Sequence, residues 1–136
     1  MEAVTVRTDT LSTDTSNADL TIGTQGTGKI VLNADTSMAG AFIGSRQTIS
    51  GAGAINLTTL YTEITTTGAQ AFTLANGVIG QMKIIVMVVD GGDATITPTT
   101  FANGTSVVMD AVHDSVTLIY GASGWQVIAS RNVTIS

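Results

Sequence analysis

Apolar positions along the chain come in short alternating or β-branched runs, each closed by Gly, Asn or Asp. No 3.6-residue period persists over a helical length, so strands are predicted throughout. Ala18 to Thr24 forms the first predicted strand, with Leu20 and Ile22 on one face. Gln25-Gly26-Thr27-Gly28 turns the chain, and Lys29 to Asn33 returns with Ile30 and Leu32 together, as in a hairpin. Asp35 to Gln47 is apolar but small, and Gly40 and Gly44 weaken a helix there. It is predicted as an irregular connector, and Thr48 to Gly53 as a loop or a tight edge.

Ala54 to Thr67 alternates as one long strand if a bulge near Thr59-Leu60 reconciles its two parities. Ala69 to Ala75 is a short strand carrying Phe72 and Leu74, ended by the turn dipeptide Asn76-Gly77. Gln81 to Val89 is the most hydrophobic segment and too β-branched for a helix, so it is predicted as a central buried strand. Asp90-Gly91-Gly92-Asp93 is a turn. Ala94 to Thr97 is stopped by Pro98, which suits an edge or a strand end. Thr105 to Ala111, Ser115 to Tyr120 and Trp125 to Arg131 complete the series. Strands at this spacing predict an all-β chain, a compact β-sandwich of jelly-roll-like form or a barrel, with an extended N-terminal arm and hairpin.

Composition divides the chain. Residues 1–36 hold few large apolar groups, and every Phe, Tyr and Trp falls at or beyond Phe42. An arm and hairpin over 1–36 and a sandwich domain over 37–136 are therefore expected. A segment that cannot bury its own apolar side chains tends to bury them on a partner. Val4, Val6, Leu11, Leu20 and Ile22 are the candidate partner-binding residues of the arm. Threonine, β-branched and stiff, replaces much of the usual charge; charged residues make up 11% of the 136. The net charge of −5 gives no basic footprint for a phosphate backbone, so no nucleic-acid partner is expected. The run Ile84 to Val89 is far short of a membrane span, and the polar start, Met1 to Thr10, does not look like a signal peptide. A chain made in the cytoplasm, unprocessed and without a membrane partner, is expected.

Cysteine is absent, which excludes disulfides and thiolate chemistry. Gly23-Thr24-Gln25-Gly26-Thr27-Gly28-Lys29 matches the first seven positions of a phosphate-binding loop. Ile30 then stands where a hydroxyl would hold Mg²⁺, and a strand follows instead of a helix. A glycine-rich turn accounts for it better. His113 lies near Asp110, Asp114, Ser115 and Ser123, but no nucleophile elbow is present, and a loop histidine is expected. Asp90 and Asp93 offer two carboxylates to a cation, few for tight Ca²⁺ binding. The sequons at Asn56, Asn103 and Asn132 suit a chain rich in Asn and Thr. Trp125 beside Tyr120 could stack on a sugar, though packing is the commoner role of a lone Trp. No catalytic residue, cofactor or metal ligand is assigned, and no enzyme is expected.

The stretch Gly80-Gln81-Met82-Lys83-Ile84-Ile85-Val86-Met87-Val88-Val89-Asp90-Gly91-Gly92-Asp93-Ala94-Thr95-Ile96-Thr97-Pro98 resembles a block of small structural proteins of tailed bacteriophages. So does Asp114-Ser115-Val116-Thr117-Leu118-Ile119-Tyr120 with Gly124-Trp125-Gln126-Val127-Ile128. Asn17 to Ile22 with Gly26 to Ile30 is similar to a short β element of phage fibres. The resemblance implies a virion component. A capsid decoration (cement) protein would sit on the outer shell as a homotrimer and brace neighbouring major capsid subunits. A tail fibre or appendage protein that binds host-surface glycans is the alternative.

Overall fold

The computed structural model describes residues 22–23 and 30–136. The chain divides after Ala41 into two units, Met1–Ala41 and Phe42–Ser136. In the first, the described residues carry neither helix nor strand. The predicted strand 18–24 and its turn lie outside the described residues apart from Ile22 and Gly23. The described part of the returning strand, Ile30 to Asn33, is exposed and not a strand.

The second unit holds ten strands: β1 (Arg46–Ser50), β2 (Gly53–Ile55), β3 (Tyr61–Thr65), β4 (Gln70–Leu74), β5 (Met82–Val89), β6 (Ala94–Pro98), β7 (Val107–Met109), β8 (Ser115–Gly121), β9 (Gly124–Arg131) and β10 (Val133–Ile135). They make two five-stranded sheets, β1-β3-β5-β8-β9 and β10-β7-β6-β4-β2. The chain is all-β, and the expected compact sandwich is what it forms. The sheets are mixed, however, whereas a jelly roll is built from antiparallel Greek keys.

From β1 to β6 the chain alternates between the sheets, one strand in each per circuit, and successive circuits stack in parallel. Arg46 faces Tyr61 and Tyr61 faces Ile84 in the first sheet. Gly53 faces Phe72 and Phe72 faces Ile96 in the second. Three flattened coils result. From β6 onward the strands pair antiparallel, β6 with β7 and β7 with β10, β5 with β8 and β8 with β9, beside one isolated parallel bridge of Phe101 with Trp125. The edges β1 and β2 belong to the first coil, and the edges β9 and β10 close the other side of each sheet.

Alternation decides what lies between the sheets. In β5 the pattern buries Lys83, Ile85 and Met87 and turns Met82, Ile84, Val86 and Val88 outward. Ile64, Phe72, Leu74, Ile96, Val107, Met109, Val116, Leu118 and Trp125 fill the rest of the core. The segment Ala54 to Thr67 is not one bulged strand. It breaks at Asn56, whose Oδ1 accepts from the N–H of Thr58 and of Thr59 (3.2 and 3.0 Å) and from the Thr59 hydroxyl (2.8 Å). This Asx cap turns the chain, so β2 and β3 enter different sheets. Thr48 to Gly53 resolves as the end of an edge strand, a bend and the start of β2. Pro98 does end its strand, but β6 lies in the middle of the second sheet. Its missing N–H is harmless because the ladder to β4 uses the alternate residues, ending with Thr99 N–H on Leu74 O at 2.8 Å, and the pairing with β7 ends at Ile96 and Val107, before Pro98 is reached.

Candidate functional site

The arm residues Val4, Val6, Leu11 and Leu20 lie outside the described residues. Ile22 is described and exposed. The phosphate-loop-like stretch lies outside as well, save Gly23. His113 stands in the loop between β7 and β8 with a φ of 74°. Its neighbour Asp114 is buried, and its Oδ2 accepts from the N–H groups of Asp110 and Ala111, both at 3.0 Å. That carboxylate shapes the turn. Asp90 Oδ1 accepts from Gly92 N–H at 2.9 Å, a local turn bond within the arc between β5 and β6. Among the described residues no three His, Cys, Asp or Glu side chains converge as a metal site.

Trp125 is fully buried, and its Nε1–H donates to Ala75 O at 2.8 Å. Its ring meets that of Tyr120 edge-on, with centroids 5.2 Å apart. A ring with no exposed face cannot stack on a sugar, so the packing role holds and the sugar platform is withdrawn. The Asn103 Oδ1 accepts from Val127 N–H at 2.9 Å and Asn56 caps its turn, so two of the three sequon side chains are committed to the fold.

Two surfaces remain. The first is the outer face of β5. Met82 is 41% exposed, and Ile84, Val86 and Val88 follow it at alternate positions. Ile84 lies between Tyr61 and Thr117, and Val86 between Glu63 and Ser115. The row ends in the Arg46–Glu63 ion pair at 3.2 Å. Burial raises the Tyr61 pKa, and the neighbouring Glu63 carboxylate adds to this. A strand apolar on both sides is the pattern of one covered on both sides. Within the second unit no helix or further sheet layer lies over this face.

The second surface is the edge formed by β1 and β2, where the two sheets finish differently. Gln47 Nε2–H donates to Ala54 O at 3.2 Å, and Gln47 Oε1 accepts from Asn56 N–H at 3.0 Å and from the Thr62 hydroxyl at 3.2 Å. A parallel strand added beside β2 would bond to that same pair of groups, a C=O and the N–H two residues on. The primary amide thus stands in for a peptide and seals the edge of the second sheet. Among the described residues β1 has no such cover.

Lys83 was not singled out in the sequence, yet it is a charged group among the most buried. It is fully enclosed, and its Nζ donates to Thr59 O at 2.8 Å and to the Thr59 hydroxyl at 2.9 Å. Desolvation without a carboxylate partner lowers its pKa from 10.5 to about 8. The unfolded chain therefore binds more protons than the folded one between those values, and stability rises with pH across that window. Between pH 8 and 10 a gain of about 2 kcal/mol is expected from this group. Tyr61 acts in the opposite sense above pH 10. Urea titrations of the wild type and of Lys83→Met at several pH values check this, because the slope should vanish in the variant. An unchanged slope would reject the assignment. The signal in the sequence was a lone lysine at an inward position of an otherwise apolar strand.

No model of a known protein family and no curated protein matches this chain.

Proposed function

We propose that the chain is a viral structural protein, a capsid decoration protein of a bacteriophage. It acts on the outer face of the virion shell, seated there as a trimer and bracing neighbouring major capsid subunits. The outward apolar column of β5 supports this most directly, because it supplies a surface suited to permanent burial on a large partner. The sparsely charged, threonine-rich composition and the phage-like strand blocks agree with it. Binding to a surface that exists only on the assembled shell shifts the equilibrium towards the intact particle. The arm would add a second attachment by lying along a neighbouring subunit.

The test is co-sedimentation with assembled shells of the major capsid protein from the same genome. Wild-type protein is expected to sediment with the shells and to raise their disassembly temperature. Met82→Asp, at an exposed site that should leave the fold intact, is expected to weaken binding at least tenfold. Deletion of residues 1–20 is expected to abolish it. Wild-type protein that stays in the supernatant defeats the proposal. The coil stack favours a second reading, an appendage protein that binds host-surface glycans, since repeated coils are how elongated β structures are built. Binding to host surface glycans in place of shells would select it.

A further inference from the structure

The edge of β1 is complementary to itself. In the pairing of β1 with β3, Tyr61 N–H donates to Ser45 O and Gly51 N–H donates to Thr65 O, both at 3.2 Å. Parallel ladders use alternate residues, so Ser45, Gln47, Ile49 and Gly51 face β3. The N–H and C=O groups of Arg46, Thr48 and Ser50 therefore point away from the sheet. Among the described residues nothing pairs with them. Two other edges are covered in part: Gln47 seals β2, and at the start of β9 the Trp125 N–H donates to Thr100 O while Trp125 O accepts from Ala102 N–H, both at 2.9 Å. β1 carries neither proline nor bulge, the usual devices that blunt an edge.

We propose that two copies of this chain pair through β1, antiparallel, about a two-fold axis at Thr48. The hydrogen bonds support this occupant. In antiparallel sheets, directly opposed residues exchange both of their bonds at alternate positions. With the axis at Thr48, Thr48 opposes its own copy, and Arg46 opposes Ser50 in both directions. All six unpaired backbone groups of each copy, twelve in the pair, are then satisfied by six hydrogen bonds, and none is left over. Charge agrees with this. The two Arg46 side chains stand at opposite ends of the ladder, roughly 14 Å apart along it, and each keeps its own Glu63. The threonines form a favourable cross-strand pair at the centre. The first sheet would continue as ten strands, while the second stops at Gln47. Such an isologous contact closes on itself, so the edge does not lead to open polymers.

This inference does not need the virion reading, and it departs from that reading's trimer: the two-fold pair would be the unit that reaches the shell. The outward column of β5 lies two strands away from the contact and stays available to a shell. The measurement is solution mass by light scattering, joined to two sets of variants of the full chain. Wild-type protein is expected at two chain masses, twice 13.9 kDa. Thr48→Lys and Thr48→Glu, each alone, set like charges opposite one another and are expected at one chain mass. Mixed in equal amounts they are expected to return to two. The chain has no native cysteine. Thr48→Cys should therefore form a covalent dimer on mild oxidation, because opposed α-carbons about 5.5 Å apart lie within disulfide reach. Arg46→Cys should not. A wild-type mass of one or three chains, or no crosslink at position 48, overturns the two-fold pairing. Two chain masses without shell binding overturns the virion reading and leaves the pairing intact.

Discussion

Trp125→Ala is expected to destabilise the domain by about 3–5 kcal/mol, enough to remove a large part of the stability of an ordinary domain. Three separate losses combine. The indole fills the space beneath Ala75 and Gly77, where a Cβ on Gly77 would already touch Trp125 Cζ2 at 3.0 Å. Its truncation leaves a cavity that the rigid sheets close poorly. It also strips Ala75 O of its donor and Tyr120 of its edge-on contact. Trp125→Phe separates the terms. It keeps most of the packing and loses the N–H, so about 1–2 kcal/mol is expected. Urea unfolding followed by circular dichroism gives both numbers. Equal effects of the two substitutions would show that the hydrogen bond, not the packing, dominates.

Gly92→Ala is the second large effect, at about 3 kcal/mol or more. Gly92 has a φ of 146°, outside the range of L side chains, and a Cβ there would stand 2.6 Å from the carbonyl carbon of Gly68. The cause is the stacking of the coils. The arc between β5 and β6 nests directly on the arc between β3 and β4. Thr66 joins the two, its hydroxyl donating to Gly92 O at 2.6 Å and accepting from Gly91 N–H at 2.9 Å. Backbone lies on backbone, with no flexible side chain to move aside. Thermal unfolding of Gly92→Ala beside Gly68→Ala, whose Cβ would meet nothing, isolates the effect. Similar melting points for the two would mean that the arcs are looser than the contacts require.

Strands with clean alternation were legible in the sequence: β5, β8 and β9 fall almost where the apolar pattern puts them, and so does β4 with Phe72 and Leu74. Period-two patterning reports which side chains share a face, and the sandwich follows from that. It does not report which strand lies next to which, so the parallel stacking of β1 to β6 was invisible. The break between β2 and β3 was hidden for a related reason. Leu57, Thr58, Thr59 and Leu60 continue an apolar and β-branched rhythm straight through a turn, and the one clue was Asn56. β1 was missed as a definite strand because an edge needs only one apolar inward residue, Ile49, beside an inward amide, Gln47. β10, three residues long and directly after the left-handed Asn132 (φ 49°), was too short to show. The surfaces proposed to act were half legible. The apolar run of β5 stood out at once, whereas the self-matching edge follows from which backbone groups point outward.

The amide of Gln47 has a consequence for how such a chain changes over generations. It fills the place of a peptide, so an inserted circuit of chain ahead of β1 could take over its two bonds without disturbing the coils below. Each added circuit would contribute one strand to each sheet and move the end of the molecule by roughly 4.8 Å, the spacing between neighbouring strands. Duplication of a coil-length stretch would therefore lengthen the body in fixed increments, like rungs on a ladder, with the antiparallel closure at the far side left as it is.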